Sequence, residues 1–378
     1  MAPNESRFKV LFDHSSDAHL IIGENGLADC NDATIRLLKC KSKSEVLSLH
    51  PAVLSPEYQP DGQRSLEKSK IMDGLARKNG FHRFEWVHKK ADGEEFPVQV
   101  TLNAIDLEGK PALIAVWHDL TEIKRTEARL RELNDRMQKE LERASEFQRS
   151  LLPAPSLPSE WFESAWFYKP CDELGGDSLN IFPIENEKIG FYVLDVTGHG
   201  ATSALLSVTA THFLSGFLKS IPPGEAAVLL NQYFSAGNST SRTLTLVNGV
   251  LDLKSRVFRY TAAGHIGPVV LRKDGRVEQR QTQGIPIGMM ADAQYPEESI
   301  ALDPGDSIFL ISDGVYEVRN AQDLQFGLEG VYAHLKREKA QGYSLEYTVN
   351  SLARAAYHWR IPKKPDDDIS IVGFRLKE

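Results

Sequence analysis

Between Thr121 and Leu152 the chain contains no glycine, and no proline until Pro153, and it is crowded with Glu, Arg and Lys. Nothing in this run interrupts a helical hydrogen-bond ladder, so it predicts one long helix in the middle of the chain. Apolar residues recur at sevens, at Ile123, Leu130, Met137, Ala144 and Leu151, with Leu133 and Phe147 four residues before Met137 and Leu151. That spacing predicts a short parallel coiled coil, and hence a homodimer through 121–152. Thr126 and Glu140 interrupt the second apolar row, which keeps a solvated helix lying on one domain as the alternative. Either way the helix divides the chain into 1–120 and 153–378, as expected for 378 residues at roughly 150 per domain.

Composition narrows the function classes. Forty-four Lys and Arg against fifty-two Asp and Glu leave a net charge of −8, which offers no electrostatic footprint for nucleic acid. No stretch of about 18 apolar residues occurs, and the start lacks a basic segment followed by an apolar one, so neither a membrane span nor a secretory signal is expected. Cys30, Cys40 and Cys171 show no CxxC spacing, which argues against a disulfide scaffold or thiolate zinc site and for a cytoplasmic protein. The eleven histidines show no metal-ligand spacing.

In residues 7 to 120, His19-Leu-Ile-Ile-Gly leads into the Glu24-Asn-Gly turn, and a helical stretch runs from Ala33 to Leu38. Three strand candidates follow, Phe81 to Lys89, Glu95 to Ile105 and Pro111 to His118, joined by turns at Ala91-Asp-Gly and Leu107-Glu-Gly. With Asn31-Asp-Ala at the helix entry, Lys90-Ala-Asp-Gly-Glu-Glu-Phe-Pro-Val at the hairpin and His118-Asp-Leu-Thr-Glu at the exit, the segment resembles a PAS sensory domain. Such a domain holds haem, flavin, a metabolite or only its own side chains. Cys30 sits in Asp29-Cys-Asn-Asp rather than an Asn-Cys-Arg-Phe photosensor run, and His14, His19 and His118 read as structural. No PAS ligand follows from these residues.

From Phe162 onward strands and helices alternate, and acidic clusters fall at strand ends or tight turns. The apolar strand Lys188-Ile-Gly-Phe-Tyr-Val-Leu-Asp-Val brings Asp195 to a strand exit before Thr197-Gly-His-Gly and a helix from Ala201 to Phe217. Ser307-Ile-Phe-Leu-Ile-Ser-Asp-Gly does the same for Asp313. Asp366-Asp-Asp precedes the strand Ile369-Ser-Ile-Val-Gly-Phe-Arg, and Gly175-Gly-Asp177 lets backbone approach a site closely. One such Asp is ordinarily a helix cap or turn residue. Four converging carboxylates would repel one another unless a cation neutralised them, and hard oxygen ligands select Mg²⁺ or Mn²⁺.

Gly175-Gly-Asp, Asp195-Val-Thr-Gly-His-Gly, Ala262-Ala-Gly-His-Ile-Gly-Pro, Ser312-Asp-Gly-Val-Tyr-Glu and Asp367-Asp-Ile-Ser occur in the order seen in bacterial PPM-type serine phosphatases of the sporulation stage II protein E and sigma-B regulator branch. The resemblance extends from Phe162 to the C-terminus, and Ala144-Ser-Glu-Phe-Gln-Arg-Ser-Leu-Leu-Pro153 resembles the regulatory helix before that domain. It implies an α+β, multidomain chain: a PAS-like sensor at 1–120, a coiled-coil linker at 121–152 and a PPM-type β-sandwich flanked by helices at 153–378. It also implies two Mn²⁺ or Mg²⁺ ions, water attack on phosphorus without a phosphoenzyme, and a phosphorylated STAS-domain anti-sigma-factor antagonist as partner.

By the same resemblance Asp195 bridges both ions, the Val196 carbonyl joins the shell, Asp177 reaches one ion, and Asp313 with Asp367 holds the other. Asp368 is the alternative to Asp367 if the register differs by one. His199 is a candidate acid for the leaving serine oxygen, with hydrogen bonding or substrate contact as the commoner reading. His265 reads as structural, in a turn between strands at Arg256 to Thr261 and Pro268 to Leu271. Where the family continues with an aromatic pair and a second Asp, this chain has Ser178-Leu179-Asn180, which predicts weakened metal affinity at that corner.

Three rivals fail on sequence: Gly-Gly-Asp is not followed by acid-Phe as in a cyclic-dinucleotide synthase, no histidine lies between Thr121 and Leu152 for a sensor kinase, and no GKS or GKT occurs. A non-catalytic phosphatase-like binding module remains the alternative, with Asn180 as its supporting feature.

Overall fold

The computed structural model describes residues 9–24, 26–49, 51–107, 109–154, 157, 159–198, 200–235, 242–281, 283–362 and 366–377. The chain packs as two compact units, 1–136 and 137–378, with the division inside the long helix.

The first unit is built on a sheet of β1 (Ala18–Gly23), β2 (Gly26–Cys30), β3 (Phe81–Lys89), β4 (Glu95–Leu107) and β5 (Lys110–Asp119), in the order β2-β1-β5-β4-β3. Strand β4 alternates strictly along its first half, burying Phe96, Val98, Val100 and Leu102 on one face, which fixes its register because a one-residue slip would turn all four to the other side. Asn31 ties the start of the following helix to the sheet. Its Oδ1 accepts the N–H groups of Thr34 and His19, both at 3.0 Å, and its Nδ2 donates to the carbonyls of Phe12 and Asp17. Helices Asp32–Leu37, Lys43–Ser48 and Ser65–Asn79 complete the unit.

A cavity of about 690 Å³ lies in this unit, lined among others by Leu54, Met72, Phe84, Trp86, His88 and Trp117. His88 is buried, stacks on Trp117 at 3.7 Å, and donates from Nδ1 to the Leu54 carbonyl at 2.7 Å. Burial holds its pKa down at about 4. The three histidines considered from the sequence lie elsewhere: His14 is exposed, His19 bonds Ser15, and His118 faces Asp17 at 2.9 Å.

The second unit is a four-layer sandwich. One sheet runs β13-β10-β9-β8-β7, comprising β7 (Ser178–Ile184), β8 (Lys188–Val196), β9 (Leu244–Asp252), β10 (Val257–Ala263) and β13 (Glu298–Ala301). The other runs β12-β11-β14-β15-β6, comprising β6 (Phe162–Lys169), β11 (Val269–Leu271), β12 (Val277–Gln279), β14 (Ser307–Ile311) and β15 (Ile369–Leu376). Phe191 stacks on Phe374 at 4.3 Å in the core between them, with Phe258 edge-on at 5.2 Å. Each such fully buried ring contributes roughly 1.5–3 kcal/mol.

Helices Ala201–Phe217 and Pro223–Ser235 cover the outer face of the first sheet, and Gly327–Ala340 with Leu345–Trp359 cover the second. Strands β8 and β14, covered on both faces, therefore read as apolar runs rather than alternations.

The long helix spans Thr121–Ser150. Ile123, Leu130, Leu133, Met137 and Phe147 are all exposed along it. Among the described residues no helix is long and apolar enough to cross a membrane.

Candidate functional site

Strand ends from both sheets of the second unit meet at one edge of the sandwich. The segment between β6 and β7 crosses from one sheet to the other and carries Gly175, Gly176 and Asp177. Asp195 is the penultimate residue of β8, Asp313 follows β14, and Asp367 with Asp368 immediately precedes β15. Antiparallel pairing of β14 with β15 sets Ile311 opposite Ile371, and the Ser312 N–H donates to the Ser370 carbonyl at 2.9 Å, so Asp313 and Asp367 share one corner.

The carboxylates feel one another strongly. Burial, then the charges of Asp313, Asp367 and Asp368, pushes Asp195 up to about 8. Burial, then Asp313, raises Asp367 to about 7. Asp177, 1% exposed, is held well above the ordinary carboxylate range by burial and then by Asp195 and Asp368. Each rise has the cause expected of like charges sharing a poorly solvated place.

These residues fit a hard divalent cation. Both oxygens of Asp177 and Oδ1 of Asp313 are buried without a hydrogen-bond partner, the condition a positive ion relieves. At Gly176 a Cβ would stand 2.8 Å from the Val196 carbonyl oxygen and 3.0 Å from that of Gly198, so only glycine lets the chain pass these carbonyls. Among the described residues no three His, Cys, Asp or Glu side chains already close on one point as a finished cage. The acids stand as repelling neighbours, with the charge and oxygen chemistry for an ion.

Asp367 and Asp368 have different surroundings. Asp368 is buried, and its carboxylate accepts the N–H of Cys171 at 2.8 Å on Oδ1 and that of Asp177 at 3.0 Å on Oδ2. It anchors the 170–177 segment. Asp367 accepts the N–H of Asp368 at 2.9 Å and meets the Asp313 side chain, so it faces the other acids and anchors no distant backbone.

His199 lies outside the described residues. Its neighbours Gly198 and Gly200 have φ of 85° and 87°, a left-handed backbone that glycine adopts without strain. Asn180 does not join the acids: its Nδ2 donates to Ser215 Oγ at 3.4 Å on helix Ala201–Phe217, and its Oδ1 accepts the N–H of Ile181. The missing second carboxylate is thus replaced by a contact to a helix.

Three residues that the sequence reading underrated stand beside the acids. His265 donates from Nδ1 to the Ile266 carbonyl at 2.8 Å, while its Nε2 is buried without a partner. Burial lowers its pKa, and the Ile266 carbonyl and the Asp313 charge work the other way. Arg242 donates from Nη1 to the Thr197 carbonyl at 3.1 Å and to Ser203 Oγ, closing the turn after Asp195. Gln148, in the long helix, hydrogen-bonds Gly175. His265 sits in a legible motif and Gln148 in the run that resembles a regulatory helix, but Arg242 carries no local pattern that marks it.

The sequence pattern of the stage II sporulation protein E family matches residues 185–377, and that of a PAS domain matches 16–122. The chain is 26% identical over 192 residues to phosphoserine phosphatase RsbU of Bacillus subtilis, covering 50% of this chain and 57% of RsbU. It is 27% identical over 189 residues to phosphoserine phosphatase RsbP of the same organism, covering 47% of this chain and 45% of RsbP. The matched region thus spans about half the length of these relatives. In fold, the SiaA-PP2C domain of Pseudomonas aeruginosa superposes with a TM-score of 0.55 at 19% identity, covering 64% of this chain and 98% of that one. The RsbU and RsbW domains of Rv1364c from Mycobacterium tuberculosis give 0.50 at 21% identity, covering 59% and 61%. The chain belongs to the stage II sporulation protein E family, with a PAS domain ahead of the family's domain.

Proposed function

We propose that this protein is a Mn²⁺- or Mg²⁺-dependent phosphatase acting on phosphoserine or phosphothreonine in a protein. The observation that carries the reading is the buried, unpartnered Asp177 carboxylate beside Asp195, whose own carboxyl is pushed up to about 8 by burial and three further acids. Asp195 and the Val196 carbonyl would hold the cations, with Asp177 as a ligand on one side and Asp313 with Asp367 on the other. Asp368 keeps the Asp177 segment in place. When bound, the cations supply positive charge toward the phosphoryl oxygens and make a water acidic enough to attack phosphorus directly. The chain's own part is to hold those charges at fixed positions, and His199 is the candidate to protonate the departing serine oxygen, with hydrogen bonding or substrate contact as its other reading.

The substrate is a phosphorylated STAS-domain anti-sigma-factor antagonist, and the setting is a cytoplasmic partner-switching pathway. Similarity to RsbU and RsbP, both phosphoserine phosphatases, supports this. The exposed stripe of Ile123, Leu130, Leu133 and Met137 on an otherwise charged helix supports a homodimer through a coiled coil. A signal in the PAS domain changes the pairing of those helices, and their ends near Gln148 to Leu152 carry the change to the metal site.

Hydrolysis of p-nitrophenyl phosphate with Mn²⁺ tests the enzyme reading against a non-catalytic binding module. Turnover by the wild type that Asp195→Asn abolishes supports it. Equal background rates in both proteins contradict it.

A further inference from the structure

We propose that Gln148 is a positioning residue that makes the cation affinity of Asp177 depend on where the long helix ends. The proposal rests on the reading of Asp177 as a cation ligand.

The helix Thr121–Ser150 has an inverted burial pattern. Its one buried side chain among the described residues is Gln148, while Leu130, Leu133, Met137 and Phe147 are exposed. Burying a carboxamide and leaving leucines in water is unfavourable unless the amide finds all its partners. Gln148 finds them. Its Nε2 donates to the Gly175 carbonyl at 2.8 Å and its Oε1 accepts the Gly175 N–H at 3.2 Å, so one side chain satisfies both polar groups of one residue. Nε2 also reaches Ser207 Oγ at 3.4 Å, on the helix that begins just beyond the Asp195 turn.

Gly175 has little freedom of its own. A Cβ there would stand 2.3 Å from Tyr168 Oη and 2.5 Å from Asp368 Oδ2. Two residues later the Asp177 N–H is held by Asp368. The segment bearing the buried carboxylate is therefore fixed at two points, one on strand β15's entry and one on the helix. The helix point is sensitive to motion: a one-residue rotation turns the amide about 100° away, and a one-residue slide displaces it by about 1.5 Å. Either breaks both bonds to Gly175, and the two polar groups are then buried without partners. Movement of the helix end thus becomes a change in where Asp177 stands.

The test is Mn²⁺ binding to the full chain by titration calorimetry, with melting temperature read alongside. In Gln148→Met, which keeps the shape and removes both hydrogen bonds, the dissociation constant for Mn²⁺ is expected to rise about tenfold or more, the equivalent of about 1.4 kcal/mol. KM for p-nitrophenyl phosphate at saturating Mn²⁺ is expected to stay unchanged. Gln148→Asn, one methylene too short to reach Gly175, is the second variant and decides the matter by the same reading if Gln148→Met fails to fold. Wild-type Mn²⁺ affinity in a folded variant, even with a lowered melting temperature, would show a merely structural contact and overturn the proposal alone. Absence of Mn²⁺ binding to the wild type would overturn the reading of the acidic site, and the proposal with it.

Discussion

The carboxylate of Asp368 accepts the backbone N–H of Asp177 at 3.0 Å across 191 residues of chain. Its other oxygen takes the N–H of Cys171. The neighbour Asp367 accepts no distant backbone N–H among the recorded bonds and meets Asp313 instead. Two adjacent aspartates therefore have separable duties, and substitution separates them. Asp368→Ala leaves two N–H groups without a charged acceptor and is expected to destabilise the domain by roughly 2–4 kcal/mol in thermal unfolding. Asp367→Asn is expected to leave stability intact or raise it while abolishing phosphatase activity. The reverse assignment would show as a stable, inactive Asp368 variant.

The raised carboxyls give the cation-free domain a defined pH dependence. Asp195 at about 8 and Asp367 at about 7 hold protons in the folded state that the unfolded chain releases near 4. Their contribution is thus favourable at low pH and is lost as pH rises from about 4 to about 8. In EDTA, the melting temperature should fall between pH 5.5 and 8, added Mn²⁺ should reverse the fall, and Asp195→Asn should flatten it. A wild-type melting temperature that rises over that interval would contradict this account of the acids.

In the PAS domain the sign is opposite. His88, buried and held at about 4, stays neutral in the fold while the unfolded chain takes up a proton near 6.5. The stability this confers is complete above about 6.5 and is lost as pH falls toward 4, amounting to about 3 kcal/mol. Urea unfolding of residues 1–136 at pH 7 and pH 4.5 should show the drop, and His88→Phe should remove most of it.

The exposed stripe on the long helix predicts the oligomeric state. Leu130→Glu with Leu133→Glu places charges in the apolar row and is expected to convert a dimer to a monomer in sedimentation. A wild-type monomer at working concentration would remove the coiled coil from the account.

Much of this architecture was legible in the chain because its signals are local. The helix Ala201–Phe217 and the strand Phe81–Lys89 have the predicted ends, since a glycine-rich turn and a strand-turn-strand alternation mark them. Asp195, Asp313 and Asp367 stand out in the chain because each sits beside the end of an apolar strand, and Asp177 because two glycines precede it. The separate duties of Asp367 and Asp368 do not stand out, since they depend on which residue faces the segment after β6. The partner of Asn180, Ser215, lies on a helix 35 residues away, a contact that nothing local announces. The run Ala144 to Pro153 marks the end of the helix in sequence, but the partner of Gln148, Gly175, lies 27 residues away, and nothing local announces it.

The central claim is that Asp177, Asp195, Asp313 and Asp367 together hold divalent cations, and anomalous diffraction from crystals soaked in Mn²⁺ tests it most directly. The account predicts two anomalous peaks, with Asp195 contacting both, Asp177 near one and Asp313 with Asp367 at the other. No peak among these carboxylates in a folded, Mn²⁺-soaked crystal, or a peak ligated elsewhere on the chain, would contradict it.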